Sequence, residues 1–401
     1  MMGKNMGLSL LATAICLLIF FSLIPKKESL PPPINPFLQK ALHQYRDSLE
    51  WSLKRYGPPG VAIAIVKDSN IVLLEGLGKR SVEGAAPVDE HTVFRIGSLS
   101  KGFTAVLCGL LAAEGQLSLE DKVIQHLPNF ALHSQKQSQS VAIKHLLSHT
   151  SGLPYHTYTN LVEYGTPIGD ILPQLRSVPL ISKEGEIYAY QNAAFSLIEP
   201  ILDSLGESSF EELLAQRIFQ PLQMHNSSTS YEALMRDTNT AKPHRYIGTH
   251  WGTIKQTQKY YSAISAGGIN ASISDMAQWM IALLGHRPAV IPPKSLDRVF
   301  SPVIHTPNRK RYFRHWPALR DAYYAMGWRF LDYNGQNILY HGGFVNNYRA
   351  EIAIDRKNGF GICVLMNAPS DFTRRCIPSF LDAYLPQVDS IQYWEQQQLN
   401  N

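Results

Sequence analysis

Segments with a β-strand pattern lie at both ends of this sequence, whereas the long middle part carries helical patterns. Near the N-terminal end, two β-branched runs flank Asp68-Ser69-Asn70, a combination typical of a β-hairpin over residues 61–78. Strands distant in sequence can join one antiparallel sheet, so the pattern predicts an α+β fold: an antiparallel sheet flanked by helices, with a mostly helical inserted domain. Four further strands are predicted near the C-terminal end, over residues 323–330, 336–343, 347–354 and 360–368.

Helical segments set the limits of the predicted domains. The first covers residues 37–56 and ends at the helix-breaking sequence YGPPG, and the last covers residues 371–385. Between them, a helix that begins near Ser98 carries an apolar stripe formed by Phe103, Val106, Leu107, Leu110 and Leu111. We expect a ligand site in the cleft between two domains. These are a sheet domain of residues 37–97 and 320–390 and a mostly helical domain of residues 98–319.

Composition argues against several classes of protein. The chain has 401 residues, of which 45% are hydrophobic and 17% charged, as in a globular protein larger than one average domain. The net charge of +5 is spread along the chain, without a Lys/Arg run that carries interleaved aromatic residues, so nucleic-acid binding has little support. The four cysteines form neither a C-x-x-C pair nor a Cys/His cluster, which argues against a zinc site.

The N-terminal segment has the composition of a membrane anchor. Residues 7–24 contain no charged side chain, and lysines flank them on both sides. A cleaved signal peptide would need a small-residue cleavage site after its apolar core, and the Ala-x-Ala at residues 12–14 lies too early for that role. We therefore expect residues 1–25 to be an uncleaved anchor, with a cleaved signal segment as the alternative. Residues 26–36 would form a stiff Pro-rich linker.

The sequence FRIGSLSKGFT, residues 94–104, contains a Ser-x-x-Lys pair at the start of a helical pattern. Residues three apart lie on one face of a helix, so Lys101 can place its amine beside the hydroxyl of Ser98. A lysine whose pKa is lowered by burial can take the serine proton and so create a nucleophile. The helix N-terminus also favours an oxyanion. The alternative is structural, with Ser98 as a helix N-cap and Lys101 solvated.

A Tyr-x-Asn sequence, Tyr190 to Asn192, precedes an apolar helical run and predicts a second part of the same site. A tyrosine can relay a proton, and an asparagine amide can hold both Lys101 and a substrate amide. The same spacing occurs at Tyr158 and Asn160. We favour Tyr190 and Asn192 because the helix after them would hold their loop firmly. The alternative for Tyr190 is a half-buried aromatic side chain under a loop.

The sequence LYHGGFVNNYRAEI places His341-Gly342-Gly343 between two predicted strands. Two glycines would let a substrate backbone approach the strand edge, and the N–H of Phe344 could be an oxyanion donor. A similar His-x-Gly begins at His250, but no clear strand lies on either side of it. The alternative for His341 is a histidine in an ordinary turn.

In this order, Ser-x-x-Lys, Tyr-x-Asn and a late His-x-Gly resemble the three motifs of penicillin-recognising serine enzymes. The chain is most similar to the branch of class C β-lactamases and D-alanyl-D-alanine carboxypeptidases, over about residues 40–385. Three further segments resemble the same branch: HLLSHTSGLP at residues 145–154, RIFQPLQM at 217–224 and SAGGINASISDMAQWM at 265–280.

The resemblance implies a two-domain fold and a covalent acyl-enzyme, with no metal or other cofactor. It makes Ser98 the nucleophile, Lys101 its basic partner and Tyr190 the general acid or base. The N–H groups of Ser98 and Phe344 would form the oxyanion hole. The substrate-binding residues that the resemblance implies are Asn192, His341, Gly343 and Phe344.

The third motif departs from class C β-lactamases, which usually have Lys-Thr-Gly where this sequence has His341-Gly342-Gly343. Loss of the lysine weakens the attraction for a substrate carboxylate, and loss of the threonine removes a hydroxyl that binds it. Carboxypeptidase, aminopeptidase and esterase relatives more often carry histidine there. We therefore expect acyl-transfer chemistry rather than strong β-lactamase activity.

Three functions stay open on the sequence. The first is a membrane-anchored serine hydrolase that cleaves an amide or ester bond in a small molecule or peptide. The second is a D-Ala-D-Ala carboxypeptidase or another peptidase, and the third is a catalytically silent scaffold with a penicillin-binding-like fold. Cell-wall substrates would place the body on the periplasmic or other extracytoplasmic side of the membrane.

Overall fold

The computed structural model describes residues 35–206, 208–306 and 313–399. The predicted anchor over residues 1–25, and all but the last two residues of the predicted linker over residues 26–36, lie outside the described residues. Within the three described ranges, no helix has both the length and the apolar composition needed to cross a membrane.

Strands from both ends of the chain share one sheet. The strands are β1 (Gly60–Lys67), β2 (Asn70–Gly78), β3 (Phe94–Arg95), β4 (His244–Ile247), β5 (His250–Thr253), β6 (Asn270–Ala271), β7 (Ile304–His305), β8 (Leu319–Tyr324), β9 (Arg329–Tyr333), β10 (Gln336–Val345), β11 (Tyr348–Asp355) and β12 (Phe360–Met366). Eight of them form an antiparallel sheet in the order β2-β1-β12-β11-β10-β9-β8-β7. Because β1 pairs with β12, the predicted α+β fold class is confirmed.

The central strands separate two apolar cores, because neighbouring residues of a strand point to opposite faces. In β1, Ile63 and Ile65 belong to one core, whereas Ala62 and Ala64 belong to the other. All eight residues of β1 and all seven of β12 are buried, since helices cover both faces of the sheet.

Helices cover both faces of the sheet. The helices are α1 (Pro36–Tyr56), α2 (Ser100–Ala113), α3 (Val123–His126), α4 (Gln135–Ser140), α5 (Ile143–Leu147), α6 (Thr159–Tyr164), α7 (Ile168–Ile171), α8 (Asn192–Phe195), α9 (Ile198–Asp203), α10 (Phe210–Leu214), α11 (Tyr231–Arg236), α12 (Ile264–Gly267), α13 (Ile273–Leu283), α14 (Pro293–Phe300), α15 (Cys376–Tyr384) and α16 (Val388–Leu399). On one face, Tyr45 of α1 meets Phe380 of α15 edge to face, with ring centroids 5.3 Å apart. On the other face, Phe103 of α2 stacks on Trp279 of α13, with centroids 4.0 Å apart.

The prediction of one strand over residues 323–330 is wrong. β8 ends at Tyr324 and β9 begins at Arg329, and the turn between them contains Gly327 with a φ of +69°. The N–H of Ala325 donates to the carbonyl of Trp328 across this turn (2.8 Å). The chain therefore reverses inside an apolar run that suggests a continuous strand.

The other predicted strands and the hairpin over residues 61–78 are confirmed, with small shifts in their bounds. The expectation of no strand beside His250 is wrong, because β4 and β5 form a hairpin in which His250 pairs with Ile247. This hairpin lacks a strong apolar alternation because its strands pair only with each other in the described part of the chain. The closing helix is present as α15, preceded by a 3-10 turn at Asp371–Arg374 and followed by α16.

Candidate active site

Ser98 lies on a turn of 3-10 helix, Gly97–Leu99, that leads directly into α2. Gly97 has a φ of +54°, which glycine adopts at little cost, so the chain can turn sharply there. The hydroxyl of Ser100 fixes this turn, because it donates to the carbonyl of Gly97 (2.7 Å) and accepts from the N–H of Ile269 (3.1 Å). Leu99 is the N-cap residue of α2 and makes no side-chain capping bond, so Ser98 does not serve as the predicted alternative cap.

Lys101 is fully buried, with 0% of its surface exposed, so the solvated alternative is wrong. Its Nζ donates to Oδ1 of Asn192 (2.8 Å) and to the carbonyl of Ala266 (2.7 Å). Burial lowers the pKa of Lys101 well below its ordinary value, because the ammonium loses its hydration in the interior. A lysine in this state can exist as a neutral amine and accept a proton.

Tyr190 contacts both the serine and the lysine. Its side chain shares a hydrogen bond with the side chain of Ser98, and the centroid of its ring lies 4.8 Å from Nζ of Lys101. Burial raises the pKa of Tyr190 well above its ordinary value, and the hydrogen bond from Ser98 only partly offsets this effect. The phenol therefore stays protonated near neutral pH, where it can relay a proton but cannot start as a phenolate base.

The loop that carries Tyr190 is held by residues of the segment 149–156. The N–H of Ala189 donates to the carbonyl of His149 (2.9 Å), and the N–H of His156 donates to the carbonyl of Tyr190 (2.9 Å). The N–H of Gln191 donates to Nδ1 of His149 (3.2 Å). Asn192 then begins α8, so both a preceding loop and a following helix fix this part of the site.

The structure brings Asn192, and not Asn160, to the lysine. The other side of the Asn192 amide, Nδ2, donates to the hydroxyl of Tyr260 (2.9 Å). Asn160 is exposed, and the hydroxyl of Tyr158 donates to the carbonyl of Gln174 (3.2 Å). Of the two Tyr-x-Asn sequences, only the one that begins at Tyr190 contacts Lys101.

Strand β10 lies directly against the turn that carries Ser98. A Cβ atom added to Gly343 would lie 2.0 Å from the carbonyl oxygen of Ile96, and one added to Gly97 would lie 2.8 Å from the backbone nitrogen of Phe344. Gly343 thus lets the strand approach the nucleophile's own turn, which differs from the expected approach of a substrate backbone. The N–H of Phe344 consequently lies next to the Gly97-Ser98 backbone, where an oxyanion donor is needed.

His341 belongs to a buried chain of hydrogen bonds. Its Nδ1 lies 3.0 Å from the carbonyl of Gly342, which can only accept, so Nδ1 carries the proton. Its Nε2 then accepts from the hydroxyl of Tyr324 (3.0 Å), whose oxygen in turn accepts from Nε2 of His149 (3.2 Å). Burial, reinforced for His341 by Arg329 and for His149 by Lys101, lowers the pKa of both imidazoles well below their ordinary value. Both histidines are therefore neutral near pH 7.

The bonds of His341 bear on its predicted contact with substrate. Only 2% of its surface is exposed, and both ring nitrogens have partners within the protein. Its role as a substrate-binding residue stays a prediction. The structure places its ring as a support between β10 and the loop that carries Tyr190.

The sequence motifs do not predict four residues that contact the predicted site residues. His149 and Ala266 lie inside two segments quoted for their family resemblance, so a signal for them exists, although it gives no role. Tyr260 and Tyr324 have no such signal in a chain with 19 tyrosines. Only the fold shows that these four side chains or carbonyls surround Lys101, Asn192 and His341.

The 14 histidines of the chain do not gather into a metal centre in the part that the structure describes. Within it, no group of three or more His, Cys, Asp or Glu side chains is arranged to hold a metal ion. His145 and His149, four apart in sequence, each accept a backbone N–H at Nδ1, from Ala142 (3.0 Å) and Gln191 (3.2 Å) respectively.

An antiparallel sheet flanked by helices thus carries a serine and a buried lysine that both contact Tyr190. The sequence model of the family described as Beta-lactamase matches residues 38–383, so the chain belongs to the β-lactamase family. This match extends over the eight-stranded sheet and all the predicted site residues, and it ends before α16.

Similar curated proteins come from distant organisms. Protein flp of Staphylococcus aureus strain MW2 is 25% identical over 342 residues, which cover 82% of this chain and 64% of Flp. Unguisins hydrolase ungD' of Aspergillus campestris strain IBT 28561 is 26% identical over 355 residues, which cover 86% of this chain and 64% of that protein. The chain thus matches slightly less than two thirds of the length of these relatives.

Two solved structures have a similar fold. The octameric penicillin-binding protein homologue from Pyrococcus abyssi superposes with a TM-score of 0.75 at 23% identity, covering 86% of this chain and 77% of that chain. EstCE1, a hydrolase with promiscuous acyltransferase activity, superposes with a TM-score of 0.72 at 17% identity, covering 86% of this chain and 98% of that chain. At these identities the likeness establishes the fold alone.

Proposed function

We propose that this protein is a serine hydrolase that cleaves an amide or ester bond through a covalent acyl-enzyme on Ser98. The observation that carries the proposal is the buried amine of Lys101, held by Asn192 and Ala266 beside the ring of Tyr190. The side chain of Tyr190 in turn hydrogen-bonds to Ser98. Membership of the β-lactamase family and the similarity to a protein named as a hydrolase support the same class of reaction.

The reaction follows from the protonation states. As the Ser98 oxygen attacks the substrate carbonyl carbon, its proton passes to Lys101, directly or through the hydroxyl of Tyr190. The carbonyl oxygen becomes an oxyanion, for which the N–H groups of Ser98 and Phe344 are the donors. Tyr190 then donates a proton to the leaving amine or alcohol as that bond breaks. Water, activated by the same groups, hydrolyses the Ser98 ester and restores the free enzyme.

The third motif favours esters or amides over typical β-lactams. At the position where class C β-lactamases usually carry a lysine, this chain has a buried His341 whose pKa is lowered by burial and by the charge of Arg329. A neutral imidazole with both nitrogens engaged offers no cation to a substrate carboxylate. We therefore expect weak β-lactam turnover and faster cleavage of substrates without a carboxylate near the scissile bond.

A peptidase, including a D-Ala-D-Ala carboxypeptidase, is the second candidate function. β9 pairs with β10 only as far as Tyr340. Among the described residues, no strand pairs on that side with the next five residues of β10, up to Val345. An extended peptide could add to this edge as a further strand, with its carbonyl near Ser98. This edge is the observation that favours a peptide over a small ester.

Intact-mass analysis of the full chain in detergent tests these alternatives. The protein would be exposed separately to a fluorophosphonate, a penicillin, a p-nitrophenyl ester and a peptide ending in D-Ala-D-Ala. Wild type should form one adduct that Ser98→Ala loses and that Ser301→Ala, at an exposed serine, retains. A lasting penicillin adduct with release of D-Ala would favour the peptidase, and rapid ester turnover the esterase. No adduct and no turnover would leave the silent scaffold.

We also propose that residues 1–25 anchor the protein in a membrane and that its body lies on the extracytoplasmic side. The uncharged stretch over residues 7–24 and its flanking lysines support this placement. Fractionation of cells should leave the full chain in the membrane pellet after alkaline carbonate, whereas deletion of residues 1–30 should release it. External protease should digest the body of the intact protein, and complete protection would contradict the proposed side.

A further inference from the structure

Glu199 is a buried carboxyl that takes no part in the steps above. It lies on α9, seven residues after Asn192, which begins the preceding helix α8. Its Oε1 accepts two hydrogen bonds from Ser265, one from the N–H (2.8 Å) and one from the hydroxyl (2.6 Å). Burial raises the pKa of Glu199 to about 8, so near neutral pH the group is largely a neutral acid.

Ser265 belongs to α12, a single helical turn that depends on its surroundings. Ala263, the N-cap residue of this turn, has no side chain that could cap it, and Glu199 supplies the acceptor that the Ser265 N–H requires. The hydroxyl of Thr104 donates to the carbonyl of Ser265 (3.0 Å). Ser265, the residue immediately before Ala266, is therefore fixed through both its N–H and its carbonyl.

Ala266 is one of the two acceptors that hold Lys101, and Asn192 is the other. A neutral amine has two N–H groups, and these two acceptors take both of them. The lone pair then occupies the remaining position, where it can receive the proton that leaves Ser98 through Tyr190. The orientation of the lone pair thus depends on keeping both acceptors in place at once.

We propose that Glu199 is a positioning residue for the reaction proposed above, on which this inference rests. Through Ser265, it connects α9, and with it the preceding α8 of Asn192, to the turn that carries Ala266. It thereby fixes the relative positions of the two acceptors of Lys101. Glu199 touches neither Ser98 nor substrate in this scheme. Its contribution is to the orientation of the base.

Two substitutions of Glu199 separate positioning from general stability. Glu199→Gln keeps an oxygen that can accept from Ser265, whereas Glu199→Met keeps a similar volume without an acceptor. We expect Glu199→Met to lower kcat for a p-nitrophenyl ester by about tenfold to a hundredfold, as small misplacements of a catalytic group do, with KM little changed. Glu199→Gln should retain kcat close to wild type. Ser265→Ala, which removes one of the two bonds, should lie between them.

Glu211→Gln is the matched control, because the charge of Glu211 acts on Glu199 without contacting Ser265. Its kcat should equal that of wild type. A crystal structure of Glu199→Met should show the carbonyl of Ala266 beyond hydrogen-bond distance from Lys101.

The outcomes separate this inference from the proposed function. If wild type forms the Ser98 adduct but Glu199→Met keeps the wild-type kcat, or keeps the Ala266 carbonyl in place, the role of Glu199 is overturned and the function stands. If Glu199→Gln loses as much activity as Glu199→Met, the bond to Ser265 is not the cause, and the inference also fails. If wild type neither forms the adduct nor turns over any substrate, the proposed function fails first.

Discussion

Nζ of Lys101 lies 2.8 Å from Oδ1 of Asn192, although the two residues are 91 positions apart in the sequence. The lysine donates to the amide oxygen in this bond, which leaves the amide nitrogen on the other side. Nδ2 of Asn192 is thereby directed to the hydroxyl of Tyr260. This amide is neutral, so residue 192 contributes no negative charge that would raise the pKa of Lys101.

Asn192→Asp should therefore impair Lys101 as a base, because it adds a negative charge beside the amine without changing the size of the side chain much. A carboxylate beside the amine favours the ammonium and raises the pKa of Lys101, so the neutral fraction at pH 7 falls. We expect kcat/KM for an ester to fall by about tenfold or more near pH 7 and its acidic limb to move to higher pH. A pH profile of kcat/KM checks this. Asn160→Asp, at the exposed rival position, should leave the profile unchanged.

Tyr324→Phe should remove the hydroxyl that links the buried imidazoles of His149 and His341. The lost hydroxyl leaves Nε2 of His149 and Nε2 of His341 without their shared partner, at a cost of about 1–3 kcal/mol in the free energy of unfolding. Because His149 also holds the Tyr190 loop, kcat should fall as well. Urea unfolding and ester kinetics measure the two effects. Tyr323→Phe, which removes a neighbouring hydroxyl bonded to Asp321, should change neither.

Gly343→Ala should force β10 away from the nucleophile's turn. Its Cβ would lie 2.0 Å from the carbonyl oxygen of Ile96, which belongs to the backbone and cannot rotate aside. We expect a loss of about 1–3 kcal/mol in the free energy of unfolding, together with loss of Ser98 acylation as the Phe344 N–H moves. Gly84→Ala, where an added Cβ meets no atom within 4 Å, provides the comparison. Equal effects of the two substitutions would contradict this account.

Glu199→Gln should change how stability depends on pH. The pKa of Glu199 is raised from 4.5 to about 8, so the folded protein keeps a proton that the unfolded chain releases at lower pH. The stability from this group is present below its unfolded pKa and is lost as pH rises through about 8. The variant, which does not titrate, should therefore gain stability relative to wild type as pH rises, by up to about 1.4 kcal/mol per pH unit.

Urea unfolding at pH values from about 5 to about 9 would measure this difference. Glu211→Gln serves as the control, because it removes a nearby carboxyl and leaves the bonds between Glu199 and Ser265 intact. A difference between Glu199→Gln and wild type that stays constant with pH would show that Glu199 is not a neutral acid in the folded protein.

Local patterns were sufficient for much of the fold. The hairpin over residues 61–78 and the strands now described as β10, β11 and β12 follow from β-branched runs and turn residues. The run over residues 323–330 misleads because its reversal depends on Gly327, whose added Cβ would meet the carbonyl of Lys101 at 2.4 Å. That constraint is tertiary, and no alternation in the local sequence reports it.

The candidate site divides in the same way. Ser98, Lys101, Tyr190 and Asn192 stand in short motifs, so their spacing suggests them before any fold is known. Tyr260, Ala266 and Tyr324 act through contacts across long separations, such as the bond between Lys101 and Ala266, which are 165 positions apart. The neutral state of His341 likewise depends on burial and on the charge of Arg329, which the motif itself does not contain.

The pairing of β1 with β12 also bears on how the chain reaches its finished state during synthesis. A ribosome releases β1 about three hundred residues before its partner, and long-range pairings of this kind form slowly. Until β12 has been made, β1 can pair only with β2, although both of its faces carry apolar side chains. Because the Phe344 N–H arrives on β10 nearly as late, a nascent or truncated chain would hold Ser98 without its completed surroundings. The proposed hydrolytic activity would then appear only after translation has passed β10 and β12.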